Sequence, residues 1–188
     1  LKTSFGLLGN SYILMMVVAI FLVVGVDVGF NSNSGQFLMK HFGIEQTAAE
    51  SGRSVYFFGR MLGTFLGAIM LTRIQAPRFL MWTTILSIAS VAVLLVIPSK
   101  VAAWGLVFLT GLAVANIWPL IFSLTVGRFP ERSSEISGLM IMAVSGGAPI
   151  PFLIGWISDI SNIVLGMSVL IVCLIYIFAV SVYNLKKI

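Results

Sequence analysis

Two ionisable side chains stand where the surrounding sequence is almost wholly apolar. Asp27 lies in Val24-Gly25-Val26-Asp27-Val28-Gly29-Phe30, and Arg60 follows Tyr56-Phe57-Phe58-Gly59. A charge in hydrocarbon costs at least about 2.5 kcal/mol on insertion scales, so each group is expected to face protein or water. A carboxylate so placed can carry a proton or accept a hydrogen bond from a hydroxyl. A guanidinium can neutralise it. On a helix, Asn31 follows Asp27 by one turn, and Ser34 and Gly35 follow by two, all on one face. Asn33 and Gln36 prolong the polar tract. The group reads as a substrate or proton site at the mouth of a cavity. The alternative is a segment that ends near Phe30, with Asp27 hydrated just below the interface.

A second constellation is Ala115-Asn116-Ile117-Trp118-Pro119-Leu120. Pro119 removes one backbone hydrogen bond and frees a carbonyl one turn earlier. Asn116 supplies a donor and an acceptor, and Trp118 a large flat face. Together they offer what a sugar needs: amide bonds to hydroxyls and an aromatic surface for the C–H face. Alternatively Asn116 bonds a neighbouring helix and Trp118 meets lipid. A third stretch, Ser145-Gly146-Gly147-Ala148-Pro149-Ile150-Pro151, makes a weak, bendable helix. It reads either as a gate or as a close-packed kink. Gly59, Gly63 and Gly67 form a small-residue stripe at four-residue spacing, which lets another helix approach closely.

The elements that must position these groups follow from composition. Of the 188 residues 59 % are hydrophobic and 9 % charged. A soluble domain carries about 25 % charged residues, so a water-soluble globule is excluded. So is disorder, which requires few apolar residues. Crossing about 30 Å of hydrocarbon takes roughly 20 apolar residues in a helix. Six segments qualify, near residues 11–30, 54–72, 79–97, 101–126, 136–157 and 163–183. The predicted fold class is an all-α membrane protein whose residues 1–188 make one domain of six transmembrane helices. Pro98-Ser99-Lys100 is so short a link that the third and fourth passes must be antiparallel neighbours.

The first two passes also run antiparallel, which puts Asp27 and Arg60 within about one helical turn of each other in depth. An ion pair between them is one expectation, and Arg60 snorkelling to the interface is the other. Lys2, Arg73, Arg78, Arg128, Arg132, Lys186 and Lys187 fall on one side, and Lys40, Arg53 and Lys100 on the other. By the positive-inside rule both termini are expected in the cytoplasm. The net charge of +5 comes from scattered residues, so no nucleic-acid partner is expected. A single cysteine, Cys173, and a single histidine, His41, placed in an outer loop, leave no metal site, no cofactor and no catalytic cluster to propose.

At these residues the sequence resembles the major facilitator superfamily, specifically the C-terminal six-helix half of a fucose permease-like sugar:proton symporter. The most specific stretch is Asn116-Ile117-Trp118-Pro119-Leu120-Ile121-Phe122-Ser123-Leu124. It continues through Ser137-Gly138-Leu139, Gly146-Gly147-Ala148 and Gly155-Trp156-Ile157-Ser158-Asp159, and includes Gly59-Arg60 with Gly63-Thr64. The superfamily's Gly-x-x-x-Asp-Arg motif remains between passes two and three only as Gly67, Arg73 and Arg78, without its acid. The resemblance implies two halves with substrate between them, and proton-carrying acids chiefly in the other half. It also implies a bacterial inner membrane, with lipid as the surrounding partner. The chain begins at Leu1, and is expected to be a piece whose other six helices lie upstream.

The expected function is secondary active transport by alternating access: uptake of a monosaccharide, a hexose or deoxyhexose, with a proton. Asn31, Asn116, Trp118 and Gln36 are the expected substrate contacts. Asp27 and Arg60 are the coupling or ion-pair residues. Pro119, Gly146, Gly147, Pro149 and Pro151 form the kinks or gates. A rival reading keeps the architecture and changes the cargo to an amphipathic drug or an organic acid. A polytopic membrane enzyme is a third reading, and it lacks a nucleophile-and-base spacing.

Overall fold

In the computed structural model, which describes residues 6–186, the chain is helical almost throughout. Leu1, Lys2 and Lys187, used above for chain start and orientation, lie outside the described residues. After a 3₁₀ turn at Leu7–Gly9, Asn10 opens α1 (Ser11–Phe42) by accepting hydrogen bonds from the Tyr12 and Ile13 amides. This satisfies two N–H groups that the first turn leaves without partners. Gly43 ends α1 in the left-handed conformation, φ 62°, where a side chain would be strained.

The remaining helices are α2 (Gln46–Leu71), α3 (Ala76–Val96), α4 (Lys100–Val114), α5 (Ile117–Arg128), α6 (Ser133–Ala143), α7 (Pro149–Ile160) and α8 (Ile163–Leu185). Ser99 caps α4 and Asn162 caps α8. Six spans among the described residues are long and apolar enough to cross a membrane, the fourth being α4 with α5 and the fifth α6 with α7.

Both broken spans break for the reason the sequence suggests. Pro119 has no N–H to offer the Ala115 carbonyl, so the helix stops at Val114 and restarts at Ile117. In the fifth span the chain narrows to a 3₁₀ turn at Val144–Gly147. Pro149 and Pro151 then stand in the first turn of α7, where no amide partner is lost.

The first pass differs from expectation. Hydropathy ends it near Phe30, yet α1 continues to Phe42 and α2 begins at Gln46. Lys40, His41 and Arg53, expected in a connecting loop, are therefore helical. Hydropathy detects only the part of a helix that meets lipid. The Asn31–Gln36 tract stays helical because each residue added to an existing helix costs little.

α1 is central: it packs against α2, α5, α7, α8 and the Val144–Gly147 turn. α2 lies flush along α4, while α3 packs on α8 and α4. At one end of the bundle, Tyr12 donates to Asn184 Oδ1 at 2.7 Å, joining α1 to α8, and the Arg128 guanidinium sits 4.2 Å from the Tyr12 ring centroid. Asn184→Leu removes the acceptor of the buried Tyr12 hydroxyl and the link it makes between α1 and α8. The expected cost is about 1 kcal/mol, typical of interhelical hydrogen bonds in membranes, read as a lower melting temperature of purified protein.

Candidate functional site

α1 presents Asp27 toward α2, where Tyr56 and Arg60 share a face one turn apart. Arg60 Nη1 forms an ion pair with Asp27 Oδ2, and the Tyr56 hydroxyl donates to Asp27 Oδ1 at 2.7 Å. Tyr56 is fully buried and stacks on Phe30 with ring centroids 5.1 Å apart. That packing fixes the phenol as a rigid second partner for the carboxylate. The charged side chains retain 18 % exposure at Asp27 and 34 % at Arg60, so the pair is reachable.

What they reach is a hollow of about 290 Å³ lined by Val23, Val24, Asp27, Arg60, Val114, Trp118 and Val144. α1, α2, α4, α5 and the break in the fifth span all contribute. Trp118, stacked on Phe122 at 5.3 Å, offers an aromatic face to the same hollow as the ion pair. A polar group entering here could bond Asp27 or Arg60 while its apolar face met Trp118.

The other expected contacts are placed elsewhere. Asn31 and Gln36 line a separate hollow of about 450 Å³ between the far ends of α1 and α2, with Gln46, Glu50 and Arg53. It is the more polar of the two, and Asn31 Oδ1 is buried there without a hydrogen-bond partner. Asn116 corrects the expectation more sharply. It is 6 % exposed and its Nδ2 donates to the Gly63 carbonyl at 2.7 Å. Of the two readings weighed above, the bond to a neighbouring helix is the one observed. The physical reason is the glycine stripe. Bare backbone at Gly63 and Gly67 draws the α4–α5 break so close to α2 that the amide turns into the helix contact. Asp27, Asn31 and Asn116 thus line three different hollows.

The kink residues are tightly held. A methyl on Gly146 would collide with the Phe21 backbone, and one on Gly147 would lie 3.2 Å from Val28 Cγ2. Gly146 is where the break in the fifth span crosses α1. Sequence reasoning missed Tyr56 as a partner of Asp27, although its position four residues before Arg60 is the available signal. It also missed Gln46, Glu50 and Arg53, which hydropathy had assigned to a loop. No group of three or more His, Cys, Asp or Glu that could hold a metal occurs among the described residues.

This arrangement of six spans, two of them broken, is the fold of one six-helix half of a major facilitator superfamily transporter. The outward-conformation crystal structure of the superfamily transporter FucP superposes with a TM-score of 0.84 at 18 % identity, covering 98 % of this chain and 45 % of that one. A crystal structure of the E. coli fucose:proton symporter FucP gives 0.89 at 19 % identity over the same shares. At these identities the likeness establishes the fold. No family model matches the chain. Among curated sequences it is 28 % identical over 190 residues to a provisionally named glucose/galactose transporter of Helicobacter pylori, and 27 % identical over 168 residues to a glucose/galactose transporter of Brucella abortus. The match covers 98 % of this chain for the first and 88 % for the second. The chain spans about half the length of the curated relatives it matches, 46 % and 40 % respectively.

Proposed function

We propose that the chain forms one half of a proton-coupled monosaccharide transporter that works by alternating access, together with a second six-helix half. The observation that carries this reading is the Asp27–Arg60–Tyr56 cluster on the wall of a hollow faced by Trp118, in a fold of this class. The relatives named as glucose/galactose transporters support a hexose as cargo. Asp27 is then the proton or substrate carboxylate of this half, and Arg60 the ion-pair partner that cargo or proton must compete with. The polar hollow at Asn31, Gln36, Gln46, Glu50 and Arg53 is its outer antechamber.

The seat is a bacterial inner membrane with both termini in the cytoplasm. This orientation rests on Arg73, Arg78, Arg128, Arg132 and Lys186 against Lys40, Arg53 and Lys100. Reporter fusions after Lys186 and within residues 43–45 test it, and activity of an external reporter at Lys186 would reverse it.

The transport reading is tested by uptake of labelled glucose and galactose into transport-deficient cells expressing the chain with the reading frame that adjoins it. Uptake above background, competed by unlabelled hexoses and abolished by a protonophore, is expected. Competition by carboxylates but not by sugars would move the cargo to organic acids. Within that assay Trp118→Ala should raise KM about tenfold with little change in maximal rate, since about 1.4 kcal/mol of stacking is lost. An unchanged KM would remove Trp118 from the substrate surface.

A further inference from the structure

The third hollow, about 400 Å³ in volume, is not used by the transport reading. It is a groove between α2, α3 and α4, walled by Leu66, Met70, Ile74, Phe79, Trp82 and Leu112 among others. Its origin is geometric. The glycine stripe pulls α2 onto α4, and α3 is held by α8 and α4, so α2 and α3 diverge and barely touch. The groove is open sideways, with Leu66 46 % and Trp82 60 % exposed. Two of its wall residues, Asn116 and Thr83, are already partnered: Asn116 at the inner end gives its amide nitrogen to Gly63, and the Thr83 hydroxyl bonds the Phe79 and Leu80 carbonyls.

Charge at the other end says what fits. The groove runs to the link between α2 and α3, where Arg73 and Arg78 stand beside the lining residues Ile74 and Phe79. Both arginines are exposed, and the ion pair found among the described residues involves neither. No acid occurs in the sequence between Glu50 and Glu131, so the segments flanking the α2–α3 link carry no carboxylate to pair with them. An apolar trough ending at two uncompensated cations, at the depth where a membrane span ends, is complementary to an amphiphile with one apolar chain inward and an anionic head at the interface. We propose that this groove is a binding site for an anionic phospholipid, with an acyl chain between α2 and α3 and the phosphate on Arg73 and Arg78. With the orientation proposed above, it opens to the cytoplasmic leaflet.

The test uses the full transporter in nanodiscs of phosphatidylcholine doped with phosphatidylglycerol of the same acyl chains, followed by native mass spectrometry of retained lipid. The wild type should retain phosphatidylglycerol over phosphatidylcholine. In Arg73→Gln/Arg78→Gln that preference should fall about tenfold, while the melting temperature in lipid-free detergent stays unchanged. Met70→Trp, which fills the groove and leaves both charges, should lower retention of phosphatidylglycerol as well. Equal retention of the two lipids by the wild type overturns the proposal. So does a preference that survives the double substitution. A third contrary result is efficient cross-linking of a cysteine at Met70 to the other six-helix half, which would mean that protein fills the groove.

Discussion

Asp27→Asn is expected to abolish accumulation of labelled hexose against its gradient while exchange of internal for external sugar continues. Asp27 is the acid that lines the hollow with Trp118, and Arg60 and Tyr56 hold its carboxylate in place. The amide keeps one oxygen to accept from Arg60, and its nitrogen can donate to the Tyr56 hydroxyl oxygen, but it cannot take up and release a proton. Each 100 mV of driving force is worth about 2.3 kcal/mol per charge, or about fiftyfold accumulation. The variant should therefore fall to about onefold. Flux measured in energised cells, with counterflow in de-energised ones, separates the two quantities. Normal accumulation by Asp27→Asn would place coupling wholly in the other half. The pair itself has its own check. If each single reversal, Asp27→Arg and Arg60→Asp, loses transport and the double reversal regains none, a simple charge partnership is not what matters here.

The second large effect concerns stability. Gly63→Ala should cost about 2–3 kcal/mol, and Gly63→Leu should prevent recovery of folded protein. A Cβ at Gly63 would lie 2.8 Å from Leu112 Cα and collide with the Leu112 carbonyl oxygen. These are backbone atoms, so no side chain can swing aside. Gly59 meets the Phe108 carbonyl, and Gly111 meets the Tyr56 carbonyl from the opposite side, so α2 and α4 interlock at successive turns. Forcing them apart also breaks the Asn116–Gly63 hydrogen bond and moves Tyr56 and Arg60, which ride on α2. Gly105→Ala and Gly138→Ala are the controls, because an added methyl at either meets nothing within 4 Å. These should be neutral or slightly stabilising, since glycine costs about 0.5–1 kcal/mol relative to alanine inside a helix. Thermal melts in one detergent compare the three alanine variants with wild type, and the yield of folded protein reads Gly63→Leu. A Gly63→Ala melt matching wild type would contradict the close approach of α2 and α4.

The site was only partly legible in the chain. Asp27 and Arg60 stood out because charge in an apolar run is costly wherever the helices go. Depth made their pairing possible, since helix rise converts sequence position into height, but it left snorkelling of Arg60 equally open. Tyr56 was harder to read, because a tyrosine in a membrane helix has many uses and only the rotation of α2 aims its hydroxyl at Asp27. Asn116 shows the limit more clearly. Its polarity said that it needed a partner, yet both a sugar hydroxyl and a backbone carbonyl satisfy that need. The glycine stripe was visible, and so was the amide, but the link between them depends on which helix lies against α2.

By itself the sequence determined the membrane class, the six spans and the two spans that are weakened or kinked. These depend on transfer energy and on missing backbone donors, which are properties of neighbouring residues along the chain. Only the tertiary structure decided that Trp118 lines the same hollow as the ion pair, that the Asn116 amide nitrogen bonds Gly63, and that Asn31 and Gln36 line a different hollow. Periodicity tells which residues share a face of one helix. Which neighbour that face meets is set by close packing among helices far apart in sequence, where a single missing methyl at a glycine decides how near two backbones come.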